Sequence, residues 1–130
     1  MKKLLIPAAS LFMAVALMSA DKKEDVMVKE NGTYVVNTTT LGKDVMGYEG
    51  PTPLKVYIKS NKIQKIEFLE NQETPRYWKR AAAFMLNKWD GMKVQDVKDA
   101  KVDGCTGATY SSDAVKSNVK LAVEYYLKNK

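Results

Sequence analysis

The sequence predicts an α+β domain: a small antiparallel sheet, hairpin-containing, packed with a C-terminal helix and one other main helix. Three observations carry this expectation. Leu54-Lys55-Val56-Tyr57-Ile58-Lys59 alternates apolar and polar residues with period two, and Lys62 to Glu67 follows across a Ser60-Asn61 turn, which is the pattern of a hairpin. Trp78, Ala81, Ala82, Met85, Leu86 and Trp89 recur at helical spacing. Val115, Val119, Ala122, Val123 and Tyr126 form a second helical stripe near the C-terminal end. Strands followed by helices, rather than alternating with them, point to α+β and away from a parallel sheet.

Each element can be justified in order. Residues 1–20 begin with Lys2 and Lys3, continue through an apolar run and end in small residues, so they read as a secretory signal peptide. Ala14-Val15-Ala16 and Met18-Ser19-Ala20 are competing cleavage points. An uncleaved N-terminal anchor is the alternative, since the run from Leu4 to Ala20 is at the short limit for spanning a bilayer. The folded part is then expected outside the cytoplasm, periplasmic or at the cell surface. Residues 21–32 read as a charged, loose leader, and residues 33–130 as one domain. Thr33 to Thr40 is rich in β-formers and reads as a strand. In the second arm of the hairpin, Ile63 and Ile66 break strict alternation, which a bulge would accommodate. Pro75 opens the first helix, expected from Arg76 to about Trp89 and closed by Asp90-Gly91. Val94 to Val97 forms a short helical turn. The last helix is expected from about Ser112 to Leu127, with Ser111 and Ser112 as N-caps and Asp113 at the positive end of its dipole.

Composition narrows the chemistry. The 130 residues contain no histidine and one cysteine. A Ser-His-Asp or Cys-His pair, a His-ligated metal, an intramolecular disulfide and a Cys-rich zinc site are therefore excluded. The net charge is +6. Basic residues are interleaved with acids, as in Asp21-Lys22-Lys23-Glu24-Asp25, and form no clustered stripe of the kind that grips nucleic acid. Redox or transfer chemistry here would need carboxylates, hydroxyls or a borrowed cofactor.

One segment stands out: Asp103-Gly104-Cys105-Thr106-Gly107-Ala108-Thr109-Tyr110-Ser111-Ser112. It is a glycine-bearing loop feeding a helix N-terminus, where free N–H groups and the helix dipole favour an anion. Gly107 and Ala108 leave room for close approach, and Thr106, Thr109, Ser111 and Ser112 carry hydroxyls. On these features alone, a phosphate site and a plain capped loop are both open readings. Tyr48, Tyr110 and Trp78 are candidates either for stacking on a ring system or for core packing. Cys105 is either redox-active or a small apolar filler.

Asp103-x-x-Thr106-Gly107-Ala108-Thr109-x-Ser111 resembles the signature of the FMN-binding domain family, which includes the C subunit of sodium-pumping NADH:quinone reductases and the G subunit of the Rnf complex. Gly47-Tyr48-Glu49-Gly50-Pro51 and Glu73-Thr74-Pro75 are similar to two further family segments, in the same order. The resemblance covers roughly Gly47 to Leu127. The chain departs from the family pattern in having no glycine after Pro75 and a short stretch between Pro75 and Val102.

The resemblance implies that Thr109 carries FMN through a phosphoester bond, attached outside the cytoplasm by a flavin transferase with FAD as donor. It further implies that Asp103 presents the acceptor loop, that Thr106, Gly107, Ala108 and Ser111 surround the phosphate, and that Glu73 and Thr74 line the isoalloxazine. The expected function is extracytoplasmic electron transfer with redox partner proteins, more an electron carrier than a stand-alone enzyme. The alternatives are an electron-entry module of a partner reductase and a flavin-free exported binding module.

Overall fold

The computed structural model describes residues 25–130; the export segment expected at residues 1–20 lies outside the described residues. Four strands, β1 (Met27–Glu30), β2 (Thr33–Asn37), β3 (Leu54–Lys59) and β4 (Lys62–Phe68), form an antiparallel sheet in the order β1-β2-β3-β4. Three helices follow or interrupt them: α1 (Thr38–Leu41), α2 (Pro75–Met85) and the long α3 (Thr109–Asn129), with a 3-10 turn at Val94–Asp96. This is the α+β arrangement the sequence predicts.

Both hairpins use two-residue turns with positive φ at both positions, Asn31-Gly32 (51° and 82°) and Ser60-Asn61 (54° and 61°). That geometry matches the right-handed twist of the flanking strands. The bulge lies in β4: Tyr57 pairs with Lys65 but Ile58 pairs with Ile63, so Gln64 is the extra residue. The insertion turns Ile63 and Ile66 to the same face, and both are buried. Leu54, Val56 and Ile58 alternate onto that face from β3 and meet Val115, Val119, Ala122 and Val123 of α3 in one core. Burial of each leucine, isoleucine or valine among them contributes about 1.5–3 kcal/mol.

Four local expectations are corrected. The leader is not loose throughout: Met27–Glu30 pairs with β2 as an edge strand. The strand from Thr33 stops at Asn37, whose side-chain oxygen accepts the Thr39 N–H (2.8 Å) and caps α1. Thr38 then exchanges two hydrogen bonds with the backbone of Leu54, fixing α1 against β3. Helix α2 ends at Met85 rather than Trp89, because the chain must turn back to the sheet: the Gly91 N–H donates to Ile63 O (2.7 Å) and the Val94 N–H to Asn61 O (2.9 Å). Trp89 still reaches the core, buried in the turn beyond the helix. Helix α3 begins at Thr109, one turn before the expected Ser112, so its serines lie inside the first turn and do not cap it.

Candidate functional site

The loop from Cys105 to Ala108 is seated on α2. Cys105 and Ala108 bury against Ala81, with Trp78 packed alongside, so Cys105 is a small filler in a satellite core. The Arg80 guanidinium donates to Thr106 O at 3.0 Å. Gly107 follows with φ +86°, a conformation that L side chains rarely adopt. Ala108 stands at the N-cap of α3 without a side-chain cap, and no acidic residue occupies the first turn. The N–H groups of Thr109, Tyr110 and Ser111, which open a 21-residue helix, therefore have no partner among the described residues.

The serines expected as caps serve elsewhere. The Ser112 hydroxyl oxygen accepts the Cys105 N–H (2.9 Å) and closes the loop onto the helix. The buried Ser111 hydroxyl donates to Glu73 Oε1. Glu73 is itself buried, and its carboxylate collects three backbone N–H groups from the 47–50 turn: Tyr48 (2.9 Å) on Oε1, Glu49 (2.5 Å) and Gly50 (3.1 Å) on Oε2. The turn is pinned by the Gly47 N–H on Gly50 O (2.7 Å). Gly47 has no alternative, since a Cβ there would lie 2.5 Å from Glu73 Oε1. A carboxylate offers about four lone-pair sites, and here four donors fill them. Glu73 therefore acts as a tie between the Gly47–Gly50 turn and the start of α3.

Burial pushes the Glu73 carboxyl up, but the Ser111 hydroxyl and the three N–H groups outweigh it and hold the group below its ordinary value. The stabilisation is then complete above the unfolded value of about 4.3 and is lost as pH falls through the lowered folded value. Urea unfolding of wild type and Glu73→Gln across pH should show the gap between their midpoints widest near neutrality and narrowing in acid below that range. A gap that stays constant with pH would refute the tie as an ionised group.

The tie places Tyr48 beside Tyr110, ring centroids 6.2 Å apart. These two, with Tyr77 and residues 107 to 111, line an open cavity of about 390 Å³. Tyr48 and Tyr110 are 63% and 66% exposed, so they are wall and not core. Trp78, by contrast, packs edge-on against Phe68 at 5.2 Å. Thr109 is exposed at the cavity, and its hydroxyl makes no hydrogen bond to the described residues. One end of the cleft offers aromatic walls; the other offers unpartnered N–H groups, a free hydroxyl and a nearby guanidinium. Those two chemistries fit the two parts of a flavin mononucleotide, a flat ring system and a phosphate.

Residues 47–124 match a family model, that of the FMN-binding domain. The chain belongs to the FMN-binding domain family. A search of curated proteins gave no match. The matched span starts at the Gly47 turn and ends within α3, so it contains every cavity residue and the whole Glu73 tie. FMN is accordingly the cofactor of this domain, and family membership supports a flavin-binding role in electron transfer.

The FMN-binding domain brings some of the sequence-predicted residues together and leaves others apart. Gly107, Ala108, Thr109 and Ser111 line the cavity. Thr106 adjoins it and holds Arg80 through its carbonyl. Thr74 stands at the N-cap of α2 without a side-chain cap bond and does not line the cavity. Asp103 is exposed on the other flank of the loop, where it borders a second cavity of about 280 Å³ together with Lys101, Lys116 and Lys120. Tyr77 and Arg80 are additions that the sequence reading passed over. Tyr77, four residues before Ala81, falls in line with the Ala81–Met85 apolar stripe of α2, and Arg80, four residues from Arg76 on one helical face, reads as an ordinary solvated arginine.

Proposed function

We propose that this domain is an exported electron-carrier flavoprotein in which FMN is joined by a phosphoester to the Thr109 hydroxyl. The observation that carries the reading is the exposed Thr109 at an uncapped helix start, between a positive-φ glycine and an aromatic cleft, inside the FMN-binding match. The Ser111 hydroxyl is engaged by Glu73, which among the described residues leaves Thr109 as the aliphatic hydroxyl that lines the cavity without a hydrogen bond. Attachment forms a bond from the Thr109 oxygen to the flavin-side phosphorus of FAD and breaks the pyrophosphate link. AMP leaves, and the hydroxyl proton passes to a base of the flavin transferase.

Bound FMN would supply one- and two-electron transfer. The chain's own work is to hold the phosphate end at the α3 start and to flank the ring with Tyr48, Tyr77 and Tyr110. Covalent tethering fits an export destination, because a linked cofactor keeps a high local concentration where a free one would be diluted away. Redox partner proteins complete the reading. Intact mass of the exported protein, produced with the transferase and followed by peptide mapping, tests it. A gain of one FMN less one water on the Thr109 peptide is expected. An unmodified mass that still binds FMN reversibly would overturn the covalent link, and a colourless protein with no affinity for FMN would favour a flavin-free binding module.

A further inference from the structure

Arg80 belongs neither to the buried core nor to the Glu73 tie. Its guanidinium lies across Gly107, close enough that a Cβ at that position would meet it at 3.5 Å. One donor is used on Thr106 O, and no carboxylate stands within ion-pair distance among the described residues. The neighbouring cations are occupied differently. Arg76 lies over the Tyr77 ring at 5.4 Å, while Lys116 pairs with Asp113 at 3.5 Å and donates to Val102 O. An uncompensated guanidinium, anchored by a carbonyl two residues before the α3 N-cap, is placed for an anion that comes to Thr109.

Resting on the Thr109 reading above, we infer that Arg80 is a positioning residue for the flavin nucleotide's phosphate, neutralising it during transfer and in the finished linkage. The diphosphate of FAD repels an attacking oxygen, and a guanidinium on its non-bridging oxygens reduces that repulsion. The phosphodiester left on Thr109 keeps one negative charge, which Arg80 continues to hold. Guanidinium suits the task because its planar donors can engage two phosphate oxygens while one nitrogen stays on Thr106 O.

The test is flavin incorporation from FAD by a purified transferase, read by intact mass, for wild type, Arg80→Gln and Arg80→Lys. Glutamine can still donate to Thr106 O but carries no charge, so it separates latching the loop from neutralising the phosphate. Incorporation in Arg80→Gln should slow by about ten- to hundredfold, as expected for losing hydrogen bonds to a charged group. Arg80→Lys should recover part of the rate, and melting temperatures should stay close to wild type. The ³¹P resonance of the phosphodiester, recorded on loaded protein freed of transferase, should move in Arg80→Gln; a role confined to transferase docking would leave it in place. Wild-type rates in Arg80→Gln, or an unmoved ³¹P resonance, would overturn the inference while leaving Thr109 intact as acceptor. Absence of any incorporation into wild type would instead remove the Thr109 reading, and Arg80 with it.

Discussion

Thr109→Ala is expected to lose the whole of the flavin mass while folding as wild type does. The side chain is exposed and makes no hydrogen bond to the described residues, so its truncation should alter stability by no more than about 0.5 kcal/mol. Alanine is also a strong helix former at the first position of α3. The chemistry responds without compromise, because among the described residues the other aliphatic hydroxyl lining the cavity, that of Ser111, is committed to Glu73. Thr109→Ser keeps the oxygen and should keep the flavin. Thermal melts and intact masses of the three proteins, produced side by side with the transferase, make the comparison. Full flavin on Thr109→Ala, or flavin localised by fragmentation to the Thr106 side chain of the wild type, would show that the acceptor has been misassigned.

Glu73→Ala should produce the largest loss of stability of any single substitution at the site. Removing the carboxylate strands the part-buried Tyr48 and Glu49 N–H groups together with the buried Gly50 N–H and Ser111 hydroxyl. Orphaned donors of this kind cost about 1–3 kcal/mol each where water cannot reach them. Water entering the vacated space will satisfy some of them, so a net cost of about 3 kcal/mol is expected, which lowers the melting temperature by roughly 12–20 °C in a domain of this size. The damage should also reach flavin loading, since Tyr48 and Tyr110 are set side by side through this carboxylate. A melting temperature within a degree or two of wild type would mean that Glu73 is not the tie described here.

The hairpin of β3 and β4, the apolar faces of α2 and α3 and the loop chemistry around Thr109 were legible because each is written in local spacing. The edge strand before Asn31-Gly32 was not legible, because Lys29 and Glu30 face solvent there and alternation carries little hydrophobic contrast. Glu73 marks a firmer boundary. Its resemblance to a family segment suggested a place beside the ring, yet its partners are backbone groups 23 to 25 residues earlier and a serine 38 residues later. No periodicity announces such a junction, because backbone N–H groups have no letter in the sequence. Arg80 was passed over for the opposite reason. A solvent-facing arginine on a helix is ordinary, and only the loop folded across it gives it a task.

The Tyr48–Gly50 turn lies at the surface, and a surface turn would ordinarily open and close on its own. Here its amides are clasped by a carboxylate that α3 also grips, and α3 sends Val115, Val119, Ala122, Val123 and Tyr126 into the core. The turn is therefore not free to breathe separately; its opening is coupled to undocking of the last helix. The cleft wall and the body of the domain form one cooperative unit. A chain that has not finished folding has no cleft, so a modifying enzyme that reads the assembled cleft would pass over unfinished molecules and load only finished ones.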